Sequence, residues 1–208
     1  MPRLERLAAV LFDMDGTLVD SDAAIERASR AWAREHGVAP ELRLALGHGN
    51  PAIFAARRLL PGRDEAAIAA AAQRHHELEY DELHDVAALP GAHALLDLVA
   101  DRGLPWAVVT SADRRLARAR LGAAGIDPPL LVTIEDVTAG KPAPDSYLVA
   151  ARRLGVAPGR CLVVEDSEPG LAAGRAAGML TAALRGLTGD LQIDDLAHLA
   201  RVLGSVGP

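Results

Sequence analysis

The chain has one cysteine, Cys161, and one lysine, Lys141, and each scarcity excludes something. A single thiol makes no internal disulfide and no thiolate metal cluster, and in the apolar run Cys161–Val164 it reads as buried packing. Aromatic residues are only 3% of a chain that is 50% hydrophobic, so the core must be built largely from Ala, Leu and Val. No apolar run approaches the roughly 20 residues of a membrane span. The opening Met-Pro-Arg-Leu-Glu-Arg passes too soon into a strand and acids to be a secretory signal. A cytoplasmic protein with no membrane partner is therefore expected. A net charge of −6 without a basic stripe argues against nucleic acid and for a small-molecule partner.

The lone lysine is the sharpest of these facts. Of 22 basic residues, all but Lys141 are arginine. A chain that writes arginine everywhere else has one position that calls for a compact ammonium in place of a planar fork.

What is present is organised around residues 7–21, Leu-Ala-Ala-Val-Leu-Phe-Asp-Met-Asp-Gly-Thr-Leu-Val-Asp-Ser. Leu7 to Phe12 is an apolar run that suits a strand buried on both faces, and it ends at Asp13 and Asp15. Carboxylates there sit at the carboxyl edge of a parallel sheet, where open α/β folds place their ligands. Gly16 and Thr17 allow a sharp turn that aims both acids at one volume. Two acids so close call for a cation between them, such as Mg2+, or a split of roles into nucleophile and proton carrier. A calcium loop is excluded, because its sixth position, a glycine, falls on Leu18 and its late glutamate on Ala24.

At 208 residues the chain fits one domain with an insert. Helical spacing of Ile25, Ala28 and Trp32 predicts a helix from residue 21 or 22 to Glu35, stopped by Gly37 and Pro40. Residues 41–62 read as a break followed by a short helix from Ala52 to Leu60. Asp64 caps a long Ala-rich helix to about Leu83. From residue 90 onward strands and helices alternate: strands at 106–109, 130–134, 161–164 and 179–184, helices at 91–100, 113–121, 145–154, 168–177 and 195–203. That alternation predicts an α/β fold with a Rossmann-like parallel sheet. The core is assigned to residues 1–19 and 86–208, and residues 20–85 to an inserted all-helical cap domain.

Each later strand should then end in something useful. Thr110-Ser111 offers hydroxyl and amide donors for phosphate oxygens, Lys141 falls in a loop near the same edge, and Glu165-Asp166 supplies a second pair of hard oxygen ligands for Mg2+. Taken in this order, Asp13-Met-Asp15-Gly-Thr-Leu-Val-Asp-Ser21, Thr110-Ser111, Lys141 and Glu165-Asp166 resemble the four motifs of the haloacid dehalogenase-like hydrolases, the large phosphatase superfamily. The likeness runs from residue 7 to about 190. It implies that Asp13 is the nucleophile that becomes an aspartyl phosphate and Asp15 the general acid and base. Thr110, Ser111 and Lys141 bind phosphate; Asp13, the Asp15 carbonyl, Asp166 and Glu165 hold Mg2+, Glu165 directly or through water. Asp15 separates the chain from the superfamily's dehalogenases, which have no acid there, and from its transport ATPases, which carry threonine.

For the substrate, residues 20–60 look most similar to bacterial sugar phosphatases and to glycerol phosphate and deoxyglucose phosphate phosphatases. This implies specificity contacts from Glu26, His48, Gly49 and Asn50. The expectation is a Mg2+-dependent phosphatase for a small phosphorylated sugar or polyol, acting as a monomer or homodimer. A phosphoglycolate-type phosphatase, a β-phosphoglucomutase-like isomerase and a non-catalytic sugar phosphate binder are the alternatives. The isomerase needs a cation for a second phosphate, which Arg43, Arg57 or Arg58 would supply only if it points inward. Trp32 and Trp106 read as packing. His75, His76, Glu79 and His84 lack the spacing of a zinc site and read as a solvated helix surface.

Overall fold

A computed structural model describes residues 4–46, 52–81 and 83–205. Its main sheet is parallel throughout, with strand order β5-β4-β1-β6-β7-β8, where β1 is Ala9–Phe12, β4 Trp106–Val109, β5 Leu131–Val132, β6 Cys161–Glu165, β7 Leu180–Ala183 and β8 Leu191–Gln192. The chain starts in the middle at β1, works outward through β4 and β5, then returns to the other side of β1 with β6. The strand order therefore reverses beside β1, and a crevice opens at its carboxyl end.

Alternation along each strand divides the core in two. Val10, Phe12, Val108, Leu162 and Val164 face one apolar cluster, completed by α5 (Ala92–Asp101), α6 (Arg114–Ala123) and α9 (Leu196–Ser205). Ala9, Leu11, Ala107, Val109, Cys161 and Val163 face the other, under α7 (Asp145–Leu154) and α8 (Glu168–Ala176). With both faces covered, the strands carry continuous apolar sequence, which is why they were legible. Trp106 packs edge-on to Phe12, with ring centroids 6.1 Å apart.

Between residues 22 and 80 lie α1 (Asp22–Glu35), α2 (Pro40–Leu44), α3 (Ala52–Leu59) and α4 (Glu65–Tyr80). α1, α3 and α4 share a third apolar cluster of Trp32, Ala33, Ala52, Ala56, Ile68, Ala71 and Ala72. Trp32 is buried and donates its indole N–H to the Ala71 carbonyl at 2.7 Å, satisfying its one polar atom. Where the chain leaves and re-enters the core, β2 (Val19–Asp20) and β3 (Ala87–Ala88) pair antiparallel and clip the two crossings together.

Three expectations need correction. Pro40 does not end α1, which closes at Gly37 in the left-handed region (φ +67°); it opens α2 from the first-turn position, where a missing N–H costs nothing. The run 130–134 gives only the two residues of β5, because Thr133 caps a turn of 3-10 helix, Ile134–Asp136, through a capping box with Asp136. The long helix from the Asp64 cap stops at Tyr80, three residues early. β2, β3 and β8, two residues each, carry too little pattern to be read.

Candidate active site

The site grows from the end of β1. The Asp13 N–H still donates to the Val164 carbonyl of β6 at 2.9 Å, so Asp13 leaves the sheet in register. Gly16 then turns the chain at φ +77° and donates to the Val19 carbonyl at 2.8 Å. A Cβ at Gly16 would stand 2.2 Å from Asp166 Oδ2, so the turn must be glycine for two reasons, conformation and space.

Lys141 reaches into the same volume and spends its three protons there. Nζ donates to Asp13 Oδ1 at 2.5 Å, to Glu165 Oε1 at 2.6 Å and to the Val109 carbonyl at 3.0 Å, with the Tyr147 ring 5.1 Å away. Burial opposes its charge, but Asp13 and Glu165 outweigh burial and hold the ammonium well above its usual range. This is chemistry for a compact point charge with three rotatable donors, and the lone lysine stands where it is required.

Glu165, fully buried, is the hub of the network. Oε1 accepts from Lys141 and from the Tyr147 hydroxyl (2.8 Å), and Oε2 accepts from the Ser167 N–H (3.1 Å) and hydroxyl (2.8 Å). Four donors fill the four lone-pair positions of a carboxylate. A metal would take Glu165 only by displacing one of them.

Asp13, Glu165 and Asp166 bring three potential ligand oxygens within 4.8 Å of one another. Burial, then the neighbouring Glu165, holds Asp13 well above the ordinary carboxylate range and pushes Asp166 up to about 7. Asp166 Oδ2 is buried without a hydrogen-bond donor; Arg185 Nε approaches it at 2.9 Å, as an ion pair lacking hydrogen-bond alignment. Hard oxygen donors, one of them orphaned, in a cluster of like charge fit a divalent cation.

Asp15 lies on the other side of the turn, lining a cavity of about 210 Å³ between the sheet edge and the helical insert. Its Oδ1 accepts the Ser21 hydroxyl at 2.7 Å and faces Arg120 Nη1 at 3.0 Å. Ser111, Arg43, His75, Glu79 and Arg120 also line the cavity. Thr110 is buried at the end of β4, with Oγ1 accepting the Ala112 N–H at 3.0 Å. The following helices are capped by other residues, α6 by Asp113 and α8 by Ser167, which leaves Thr110, Ser111, Glu165 and Asp166 for the site.

The structure thus brings Asp13, Asp15, Thr110, Ser111, Lys141, Glu165 and Asp166 to one edge. It does not bring Glu26, which is exposed and paired with Arg30 at 2.8 Å; one helical position earlier, Ile25 lines the cavity. His48, Gly49 and Asn50 lie outside the described residues. The solvated face assigned to α4 is also corrected. His75 and Glu79 are buried, because that side of α4 packs on the core and on α1. Arg120, Tyr147 and Arg185 escaped sequence reasoning, since none stands in a motif, and Ser21 closes the first motif without a role being assigned to it; Arg120 is one of four arginines in seven residues, which reads as an exposed basic helix.

Residues 7–178 match the haloacid dehalogenase-like hydrolase family. Hexitol phosphatase A of Escherichia coli (strain K12) is 50% identical over 174 residues, which cover 83% of this chain and 81% of that protein. Fructose-1-phosphate phosphatase YqaB of the same organism is 32% identical over 182 residues, 84% of this chain and 95% of that one. A crystal structure of a hydrolase from Pseudomonas syringae superposes with a TM-score of 0.84 at 25% identity, over 96% of this chain and 99% of that one. Fold and site define a hydrolase of α/β fold with an acid pair just beyond the end of its first strand. The chain belongs to the haloacid dehalogenase-like hydrolases.

Proposed function

We propose that the protein is a Mg2+-dependent phosphatase for small phosphorylated sugars or polyols, with α1–α4 as a cap domain over the sheet edge. One observation carries this reading: Asp13, Lys141 and the acid cluster converge beside a cavity that Asp15 lines. Relatives named for hexitol phosphate and fructose 1-phosphate supply the substrate class.

Asp13 is the nucleophile, with one oxygen held by Lys141 and the other free to attack phosphorus. Lys141, anchored by Glu165, stays charged and offsets negative charge on the transferring phosphoryl group. Thr110 and the Ser111 amide hold phosphate oxygens. Asp13, Asp166 and the Asp15 carbonyl would hold Mg2+, which when bound neutralises phosphoryl charge. Asp15 protonates the leaving alkoxide and then takes a proton from the attacking water. The cavity residues Arg43 and His75 meet substrate hydroxyls, with His48 and Asn50 as further specificity candidates.

A second reading, a β-phosphoglucomutase-like isomerase, is favoured by one observation. Arg43 points inward, 5% exposed, as a bisphosphate intermediate would need, whereas Arg57 is exposed and paired with Glu65.

The test is chemical capture of the intermediate. Rapid acid quench during turnover, followed by peptide mass spectrometry, should find a hydroxylamine-sensitive phosphoryl group on Asp13, absent from Asp13→Asn. A fully active Asp13→Asn would refute the nucleophile.

A further inference from the structure

Arg120 ties Asp15 to the helical insert. Arg120, on core helix α6 and 2% exposed, places Nη1 3.0 Å from Asp15 Oδ1 and Nη2 3.2 Å from Glu79 Oε1 on α4. The contact continues into the insert. His75 and His76 bring Nδ1 to 3.4 Å from Glu79 Oε2, and Arg43 on α2 donates to His75 Nε2 at 3.0 Å. A buried line of polar groups thus runs from α2 through α4 and α6 to Asp15.

On the Asp15 side, Ser21 and Arg120 both engage Oδ1, and no donor among the described residues takes Oδ2. Two fixed partners on one oxygen set the carboxylate plane and leave the other oxygen to carry a proton. A guanidinium suits this task because its rigid fork holds Nη1 on one acid and Nη2 on the other at a fixed separation. Packing of α4 against α6 supplies the second acid, so the pose of Arg120 depends on where the insert sits.

We propose that Arg120 is a positioning residue that aims Asp15 for proton transfer, and that Glu79 makes that aim depend on the seating of the helical insert. This rests on the reading of Asp15 as general acid and base. In the first step an Asp13 oxygen bonds to phosphorus, the bond from phosphorus to the sugar oxygen breaks with its electron pair on that oxygen, and Asp15 gives that oxygen its proton. In the second, Asp15 takes a proton from water as the water oxygen bonds to phosphorus, and the Asp13–phosphorus bond breaks with its pair returning to Asp13. Misaimed Asp15 slows the first step for an alcohol leaving group but not for nitrophenolate, which needs no proton, and it slows the second step for every substrate.

Stopped-flow turnover with Mg2+ on sorbitol 6-phosphate and on 4-nitrophenyl phosphate reads this directly. Asp15→Asn is the reference, and Arg120→Met, Arg120→Lys and Glu79→Gln are the tests, with thermal unfolding of each. Asp15→Asn should lower kcat on sorbitol 6-phosphate by about 100-fold or more. On 4-nitrophenyl phosphate it should release nitrophenolate in a fast burst followed by slow steady state. Arg120→Met should reproduce the pattern at about 10- to 100-fold with KM within threefold, Arg120→Lys should not rescue it, and Glu79→Gln should show it more weakly. If Asp15→Asn lacks the pattern, the reading of Asp15 falls. If Asp15→Asn shows it while Arg120→Met changes only KM, or lowers burst and steady state alike, the proposal alone falls. Should Arg120→Met fail to fold, Glu79→Gln decides, and wild-type kinetics there overturn the coupling to the insert.

Discussion

Replacing Asp13 by Asn should stabilise the metal-free protein while abolishing turnover. The carboxylate is buried between Lys141 and two other acids. At an effective dielectric constant of about 20, its attraction to Lys141 at 2.5 Å is about 7 kcal/mol. Repulsion from Glu165 and Asp166, each within 4.8 Å, is at least about 3.5 kcal/mol apiece. Attraction and repulsion cancel, and what remains is the cost of burying the charge, in line with the raised Asp13 pKa. An Asn keeps the shape, presents its Oδ1 to Lys141 and removes that cost, which leaves Lys141 paired with Glu165. The expected gain is about 1–3 kcal/mol, or roughly 2–10 °C in Tm for a chain of this size. Calorimetry in EDTA measures it. Mg2+ should then raise the Tm of the wild type more than that of the variant, which has lost a ligand. A metal-free Asp13→Asn that melts below the wild type would refute the reasoning, since it would mean that the Asp13–Lys141 pair is a net stabiliser.

Lys141→Met should destabilise by about 3–5 kcal/mol in urea unfolding, because it strands Asp13 and Glu165 in the interior without a cation; Lys141→Arg should not restore activity, as a fork cannot fit the three partners of Nζ. Gly16→Ala should cost Mg2+ affinity as well as stability, seen as a loss of the Mg2+-induced Tm shift, because the new methyl group displaces Asp166. The metal-free protein should lose stability as pH rises from about 4 to about 7. Asp166, folded at about 7 against an unfolded value near 3.8, keeps a proton that the unfolded chain releases across that window. Asp166→Asn should therefore gain Tm relative to the wild type in EDTA between pH 5 and pH 8; a constant difference would contradict the assignment.

Much of this was legible because chemistry and local structure coincide in the motifs. The apolar run before Asp13 is a strand end, and a strand end in an open parallel sheet is a ligand edge; the same logic found Thr110, Ser111, Glu165 and Asp166. Lys141 stood out by its singularity, and its three-way hydrogen bonding gives the physical reason. Sequence reasoning failed where the determinant was the packing of one helix on another. Glu79 and His75 read as solvated because nothing local tells which side of an Ala-rich helix is covered. Arg120 carries no mark that separates it from Arg114, Arg115 and Arg118. Glu26 was placed in the site by likeness alone, and the helix phase puts Ile25 there instead. Glu165 stands in the acid cluster with Asp13 and Asp166, and its four donors, which sequence alone does not show, also make it the anchor of Lys141.

The central claim is hydrolysis of small sugar or polyol phosphates with Mg2+. Its most direct measurement is phosphate release across sorbitol 6-phosphate, fructose 1-phosphate, hexose 6-phosphates, glycerol phosphate, phosphoglycolate and β-glucose 1-phosphate, with EDTA and Asp13→Asn as controls and the sugar products identified. Sugar or polyol phosphates should release phosphate, and both controls should abolish that release. Conversion of β-glucose 1-phosphate to glucose 6-phosphate with little free phosphate, or turnover that persists in EDTA or in Asp13→Asn, would contradict it.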